Sequence, residues 1–262
     1  MYFLFSLFCV NNVICMKIFR FLLVLCGTLF ASMGLAGEID GMRFIHIGLE
    51  EGLSHSTIFG INQDKEGNLW FATYDGVNKY DGYAFTVYQH DENDPNSIAN
   101  DIARIVMTDS KGRVWIGTRD GLSYYDENKD KFQNFSYEKN GKRLRVNGIV
   151  EVSVDLLLVS TSEGLTMFDI PASQFVDDAC STTMRRIIAS SLYRHGEQIY
   201  IGTRGDGLYC YSIPQKRLEK LTYIPNSRQI QSILQQSPTR IWVATEGSGL
   251  FLINPKTQEV KV

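Results

Sequence analysis

The chain repeats itself at a fixed interval, and this feature constrains its fold more than any other. The segment 70–77 (WFATYDGV) returns as 115–122 (WIGTRDGL) and, more weakly, as 158–165 (LVSTSEGL). It returns twice more, at 200–208 and 242–250, each time with one extra residue before the final glycine. Neighbouring copies begin about 42–45 residues apart, which is typical of architectures in which each unit packs against the next.

Each unit contains four short strand-like runs. In the first unit, the apolar run 58–61 is followed by a turn at 64–67 (DKEG) and a second run at 69–73. The aspartate of such a turn bonds to its own backbone, and the glycine adopts a positive φ. Two further runs, 77–80 and 83–88, complete the unit. Four strands in about 40–45 residues is the pattern of a β-propeller blade.

The sequence therefore predicts an all-β fold, a β-propeller of about five four-stranded blades over residues 38–262. We expect aromatic anchors on the second strands to be buried between blades, while small neighbours allow the sheets to approach. The alternative for the tryptophans is an exposed surface that stacks on sugars. The blades are anchored near residues 70, 115, 158, 200 and 242, and the aromatic anchors are Trp70, Trp115, Tyr200 and Trp242.

A strand-like segment at 42–47 precedes the first unit and resembles the fourth strand of a unit. Such an out-of-phase strand typically closes the ring by joining the last blade. The fifth unit has its own candidate fourth strand at 259–262. We therefore expect the chain to be the N-terminal portion of a larger, seven-bladed propeller; the alternative is a five-bladed ring with a surplus strand.

The N-terminal 36 residues are predicted to be a secretory signal peptide. Lys17 and Arg20 precede an apolar stretch at 21–35, and small residues at 34–36 fit a signal peptidase site. The preceding 15 residues carry no positive charge, so we expect Met16 to be the true start. The sequence predicts export to the periplasm; a membrane anchor is the alternative.

Composition excludes several classes of protein. The chain of 262 residues is 44% hydrophobic and 12% aromatic, which excludes a disordered protein. Its net charge of −3, without a basic run, argues against a nucleic-acid partner. Outside the N-terminal segment only Cys180 and Cys210 remain, and a disulfide between them or two buried free thiols are both compatible with the sequence.

No catalytic constellation is visible in the sequence. The four histidines lie at non-equivalent positions of different units, without metal-binding spacing. Recurrent aspartates such as Asp64 and Asp109 fall in turns, where capping is a sufficient role. We therefore predict no catalytic residues, no metal and no cofactor.

Binding is the more plausible role, because short polar segments lead into the first strand of each unit. These segments and the loops after the second strands could present hydrogen-bonding groups to sugar hydroxyls. The competing interpretation is that the same residues cap turns. The candidate ligand-binding residues are His55, Asn100, Arg119, Asn147 and Arg204.

The residues 52–126 resemble the two-component regulator propeller repeats of bacterial hybrid two-component sensors. The resemblance rests on the D-x-x-G turn, W-[IF]-[GA]-T, the following G-[LV] and the Y-D ending; it weakens in units three and four. It implies a periplasmic sensor of two seven-bladed propellers, followed by a small β-sandwich, a transmembrane helix, a histidine kinase, a receiver and a DNA-binding domain. Such proteins typically sense oligosaccharides. No segment of this chain matches the kinase or the receiver, so we expect no enzyme activity from it.

The predicted function is thus a periplasmic ligand-sensing propeller segment of a hybrid two-component system. The expected partners are an oligosaccharide, further blades or domains of the same or another chain, and a second copy in a homodimer. Two alternatives remain: a propeller enzyme of the lyase type, and a purely structural propeller.

Overall fold

The computed structural model describes residues 45–139, 141–176, 181–222 and 229–261. Contacts divide the chain into two units, Met1–His46 and Ile47–Val262. The predicted signal peptide, Cys180 and residues 42–44 lie outside the described residues. Residues 45–47 form no strand in the described chain, so this part of the expected out-of-phase strand is not present.

The second unit contains five four-stranded antiparallel sheets and one two-stranded hairpin. Blade 1 contains β1 (Ile58–Gln63), β2 (Leu69–Thr73), β3 (Val77–Tyr80) and β4 (Phe85–Tyr88). Blade 2 contains β5 (Ala103–Thr108), β6 (Val114–Thr118), β7 (Gly121–Asp126) and β8 (Lys131–Phe135), and the hairpin of β9 (Glu138–Lys139) and β10 (Lys142–Arg143) follows. Blade 3 contains β11 (Val146–Ser153), β12 (Leu156–Thr161), β13 (Gly164–Asp169) and β14 (Gln174–Val176). Blade 4 contains β15 (Ala189–His195), β16 (Gln198–Thr203), β17 (Leu208–Ser212) and β18 (Arg217–Lys220). Blade 5 contains β19 (Ile230–Ser237), β20 (Arg240–Thr245), β21 (Gly249–Asn254) and β22 (Glu259–Lys261). A 3-10 helix (Leu49–Glu51) precedes blade 1, and the short helix α1 (Ser181–Met184) precedes blade 4.

Every blade is a meander in which the strands pair in chain order. The first strands of successive blades, β1, β5, β11, β15 and β19, lie beside one another. The first strand is therefore the innermost of each blade and the fourth is the outermost. The predicted all-β propeller of four-stranded blades is confirmed.

The hydrophobic core lies between the blades, as expected for sheets that cannot bury both faces alone. Trp70 of blade 1 is fully buried, and its ring centroid lies 4.8 Å from that of Tyr125 in blade 2. Trp115 of blade 2 is also buried and lies 5.7 Å from Phe168 of blade 3. Side chains buried in this way cannot stack on a ligand.

The other two anchors differ from each other. Tyr200 of blade 4 is buried in a cluster with Ile230 and Ile233 of blade 5. Trp242 of blade 5 is only half-buried, and its indole nitrogen donates to Gln236 at 3.2 Å. The expectation of full burial therefore does not hold for Trp242, because no described strand follows blade 5 to cover this face.

In blades 1 and 2, the turn that joins the first and second strands is built around an aspartate. In blade 1, Asp64 accepts bonds from the backbone of Glu66 and Asn68, the amide of Asn68 and the indole of Trp70 at 2.8 Å. Burial opposes the charge of Asp64, but these hydrogen bonds outweigh it and lower the pKa of its carboxyl. The recurrent aspartate thus caps its turn and also holds the anchor of the next strand.

Cys210 on β17 is half-buried and carries a free thiol. Burial raises the pKa of this thiol to about 11. Since the thiolate is the reactive form, burial makes Cys210 less reactive at neutral pH than an exposed cysteine.

Candidate functional site

One end of the blades is held by a backbone hydrogen bond that all five blades repeat. The residue after each second strand donates its N–H to the carbonyl of the residue before the first strand. The pairs are Tyr74 to Thr57 (3.3 Å), Arg119 to Ile102 (3.0 Å), Ser162 to Arg145 (2.9 Å), Arg204 to Ile188 (3.2 Å) and Glu246 to Gln229 (2.8 Å). These ten residues therefore lie at the same end of their blades.

A threonine closes the turn at this end in every blade. The last residue of each second strand donates its hydroxyl to the carbonyl of a glycine three or four residues later. The pairs are Thr73 and Gly76, Thr118 and Gly121, Thr161 and Gly164, Thr203 and Gly207, and Thr245 and Gly249. We call this end, with the threonine turns and the residues that lead into the first strands, the Thr-turn end. The opposite end, with the turns of Asp64 and Asp109 and their equivalents, is the Asp-turn end.

A β-bulge interrupts every innermost strand close to the Thr-turn end. In β5, for example, Ala103 pairs with Thr118 and Ile105 with Gly117, so that Arg104 between them has no partner in the ladder. The same shift occurs in the other four blades. A bulge gives its extra residue a direction that the regular strand would not allow. The five bulge residues are Phe59, Arg104, Asn147, Ser190 and Gln231.

Blade 1 contributes aromatic side chains to the Thr-turn end. The ring of Tyr74, which is 50% exposed, lies 5.6 Å from His55 and 6.2 Å from Phe59. The guanidinium of Arg104 lies 4.2 Å from the ring centroid of Phe59, within the range of a cation–π contact. An aromatic surface therefore adjoins a cationic group across the boundary of blades 1 and 2.

Arginines of blades 2, 3 and 4 come together at the same end. Arg145 is half-buried, and its Nε donates to the side-chain oxygen of Asn147 at 2.8 Å. Burial, together with the positive charges of Arg104, Arg204 and Arg119, lowers the pKa of Arg145. The guanidinium of Arg145 is thus close enough to those of Arg104, Arg204 and Arg119 to be repelled by them.

Two cavities open among these residues. A shallow groove of about 430 Å³ lies beside the Thr turns of blades 2 and 3. It is lined by Arg119, Asp120, Lys142, Arg143, Arg145 and Ser162. A second cavity, of about 200 Å³, lies among the innermost strands and contains the bulge residues Asn147, Ser190 and Gln231.

All five sequence-predicted ligand residues lie at the Thr-turn end, but two of them have local structural bonds. The imidazole of His55 accepts from the backbone of Thr57 at 2.9 Å. The side chain of Asn100 accepts from the backbone of Ile102 and donates to Asp120, each at 2.9 Å. Turn capping, the competing interpretation, therefore applies to His55 and Asn100. The charges of Arg119 and Arg204 instead contribute to the lowered pKa of Arg145, and the side chain of Asn147 is hydrogen-bonded to that arginine.

Sequence reasoning missed the bulge residues Phe59, Arg104, Ser190 and Gln231, and it did not single out Arg145. A bulge leaves no residue signature, because any side chain can occupy it. Aligning the five units on their threonines and reading the column fourteen residues earlier would have collected four of the five bulge positions; Ser190 lies thirteen residues before Thr203.

Within the described ranges, no group of three or more histidine, cysteine, aspartate or glutamate side chains could hold a metal ion. No helix among the described residues has both the length and the apolar character needed to cross a membrane.

Comparison with known proteins confirms the predicted resemblance. Residues 52–75 match the family described as "Two component regulator propeller". A segment of 70 residues is 37% identical to "Histidine kinase P4" of Formosa agariphila; it covers 27% of this chain and 5% of that protein.

Two solved structures share the fold. The extracellular domain of a hybrid two-component system from B. thetaiotaomicron is 26% identical, with a TM-score of 0.69 over 83% of this chain and 31% of that one. A second extracellular domain from the same organism is 23% identical, with a TM-score of 0.62 over 80% of this chain and 28% of that one. The chain thus spans about a third or less of the length of these relatives, and it is similar to the extracellular domains of two-component systems.

Proposed function

We propose that this propeller is a ligand-recognising part of the exported sensor region of a two-component system, and that its ligand is an oligosaccharide. In this proposal the propeller works in the periplasm and binds without catalysing a reaction. The similarity to the extracellular domain of a hybrid two-component system supports the sensor role.

One observation carries the proposal: at the Thr-turn end the five blades share the same backbone hydrogen bonds but present different side chains. The same two hydrogen bonds recur in five blades. The five bulge residues are nevertheless an aromatic ring, a guanidinium, two amides and a hydroxyl. A rigid scaffold that presents varied groups from loops and strand ends is typical of recognition sites.

The chemistry of these side chains fits a sugar. The faces of Tyr74 and Phe59 suit the apolar face of a pyranose ring, while Asn147 and Gln231 can bond to hydroxyls. The Asp-turn end offers less, because the carboxylates of Asp64 and Asp109 are saturated by bonds within their own turns.

The test is to titrate the full chain with neutral and acidic hexasaccharides and to measure binding by calorimetry. We expect Tyr74→Ala to weaken the Kd about threefold to tenfold, since aromatic contacts of this kind contribute about 0.5–1.5 kcal/mol. The matched control is Tyr83→Ala, which removes a tyrosine that is 95% exposed in the β3–β4 turn at the other end of the same blade. If no hexasaccharide binds to the folded chain, or if both variants lose binding equally, the proposal is wrong.

A further inference from the structure

Four arginines of the Thr-turn end have no acidic partner among the described residues. Arg119 and Arg204 occupy equivalent positions in the Thr turns of blades 2 and 4, Arg145 precedes β11, and Arg104 is the bulge residue of β5. In the part of the chain that the structure describes, none of the four forms an ion pair with a carboxylate. Arg113 at the Asp-turn end, by contrast, is paired with Asp109.

The acids in the Thr turns of blades 2, 3 and 4 are bonded to other groups. In the groove, Asp120 accepts from the amide of Asn100 at 2.9 Å. Glu163 in the Thr turn of blade 3 pairs with Lys139 at 2.8 Å, and Asp206 in that of blade 4 accepts from Tyr209 at 2.6 Å and pairs with Lys220. None of these acids forms an ion pair with one of the four arginines, and in the groove the single carboxylate of Asp120 faces several cationic side chains.

Two of the arginines make contacts within the protein but still have N–H donors without a partner among the described residues. The Nε of Arg104 is buried and has no hydrogen-bond partner, while its guanidinium lies against the ring of Phe59. Arg145 uses its Nε to bond to Asn147, which leaves its terminal amino groups free of any protein bond that the described residues show. A buried donor without a partner and a cluster of like charges both cost free energy, and a bound anion would offset both.

We propose that the ligand of this site is an acidic oligosaccharide, whose carboxylate or sulfate groups bind to Arg104, Arg119, Arg145 and Arg204. The inference rests on the proposed function, to which it adds the charge of the ligand. A guanidinium presents paired donors that match the two oxygens of a carboxylate or a sulfate ester. The groove beside Arg119 and Arg145, which also contains Lys142, admits such a group from solvent.

A polynucleotide fits these observations less well than an acidic sugar. The whole chain carries a net charge of −3, so that its general electrostatic attraction for a long polyanion is weak. The aromatic surface of blade 1 is a single patch and not a row of stacking side chains.

The probes for the test are chosen in pairs that share a sugar backbone and differ in whether their acidic groups are charged. One pair is the hexasaccharide of galacturonic acid and its methyl ester, and the other is a sulfated galactan hexasaccharide and its desulfated form. We expect the full chain to bind at least one charged probe about tenfold or more tightly than its neutral partner, and to lose this preference as salt is added. A preference within the galacturonic acid pair identifies the ligand group as a carboxylate, and a preference within the galactan pair identifies it as a sulfate.

Variants assign the preference to the arginines. Arg119→Gln and Arg145→Gln should each reduce the preference about tenfold, because each removes a charge-assisted bond. Arg119 is exposed, so its replacement keeps the proposal testable if Arg145→Gln unfolds. The matched control is Arg240→Gln, which removes the same charge from an exposed position at the Asp-turn end of blade 5 and should change nothing.

The outcomes separate the two proposals. Equal binding of charged and neutral probes, or equal loss in Arg119→Gln and Arg240→Gln, overturns this inference and leaves the oligosaccharide function in place. Tighter binding of single-stranded DNA than of either acidic sugar also overturns it. If no sugar binds, whatever its charge, the proposed function fails as well.

Discussion

The two ends of the blades use their polar residues in opposite ways. At the Asp-turn end, the carboxylate of Asp109 is buried and accepts four bonds, from the backbone of Lys111 and Arg113, the side chain of Arg113 and the indole of Trp115. At the Thr-turn end, the recurring bonds involve a threonine hydroxyl and main-chain atoms, and among the described residues Arg104, Arg119, Arg145 and Arg204 form no ion pair. The residues that recur along the sequence build the blade, whereas the varied residues between them are the ones that we propose for recognition.

The largest effect on stability is expected from Asp109→Ala. This change leaves the indole of Trp115 and the guanidinium of Arg113 without their acceptor, so we expect a loss of about 3–4 kcal/mol in the free energy of unfolding. The control is Asp155→Ala, in the equivalent turn of blade 3, where the aspartate is exposed and a loss below about 0.5 kcal/mol is expected. Urea denaturation followed by circular dichroism measures both; similar losses would contradict the structural role of Asp109.

The next largest effect compares two anchors at equivalent positions. Trp115→Phe removes the bond to Asp109 and leaves a gap in a fully packed interface, and we expect it to cost about 2 kcal/mol. Trp242→Phe should cost less than about 1 kcal/mol, because Trp242 is half-buried and bonds to an exposed glutamine. Equal losses in thermal and urea unfolding would show that partial burial does not weaken the role of Trp242.

Lowering the pH should reduce the free energy of unfolding, in part because Asp64 at the Asp-turn end becomes protonated. The pKa of Asp64 is lower in the folded chain than the value of 3.8 for an unperturbed aspartate. The stability that this difference provides is present above pH 3.8 and is lost as the pH falls through the folded pKa. In Asp64→Asn, the free energy of unfolding should therefore fall less steeply between about pH 4 and pH 2. Asp94, Asp126, Asp130 and Asp206 also have lowered pKa values, so the slope should decrease but not vanish. An unchanged slope in urea titrations would contradict this role.

The smallest effect on stability is expected at a non-glycine residue whose backbone adopts the left-handed conformation. Ser173, in the β13–β14 turn, has a φ of 54°. Ser173→Gly should stabilise the chain by at most about 0.5 kcal/mol, because relief of the strain is partly offset by a more flexible unfolded state. The effect is measured by thermal unfolding of Ser173→Gly and of the control Ser153→Gly, which replaces an exposed serine outside the left-handed region. A clear loss of stability in Ser173→Gly would show that Ser173 is not strained.

How much was predictable from the sequence differs between the two ends. The Asp-turn end was largely predicted, because capping by Asp64 and burial of Trp70 follow from residue type and spacing. For the Thr-turn end, the sequence predicted the location of a binding site but not all of its residues. Arg119, Asn147 and Arg204 were among the candidates, but Arg104 and Arg145 were not. The reason is physical, since a bulge depends on the register of two strands, and a charge cluster depends on side chains from three blades that are far apart in sequence.

The bulges of the innermost strands have a consequence for protein engineering. A bulge residue has no partner in the ladder, so its side chain can be exchanged without disturbing the alternation that packs one blade against the next. Positions 59, 104, 147 and 231 therefore form a set that a combinatorial library can vary at once, whereas Ser190 joins blades 4 and 5 by donating its hydroxyl to the carbonyl of Ile230 at 2.7 Å. The same freedom would allow natural relatives to acquire new specificities by substitution, without any change in loop length.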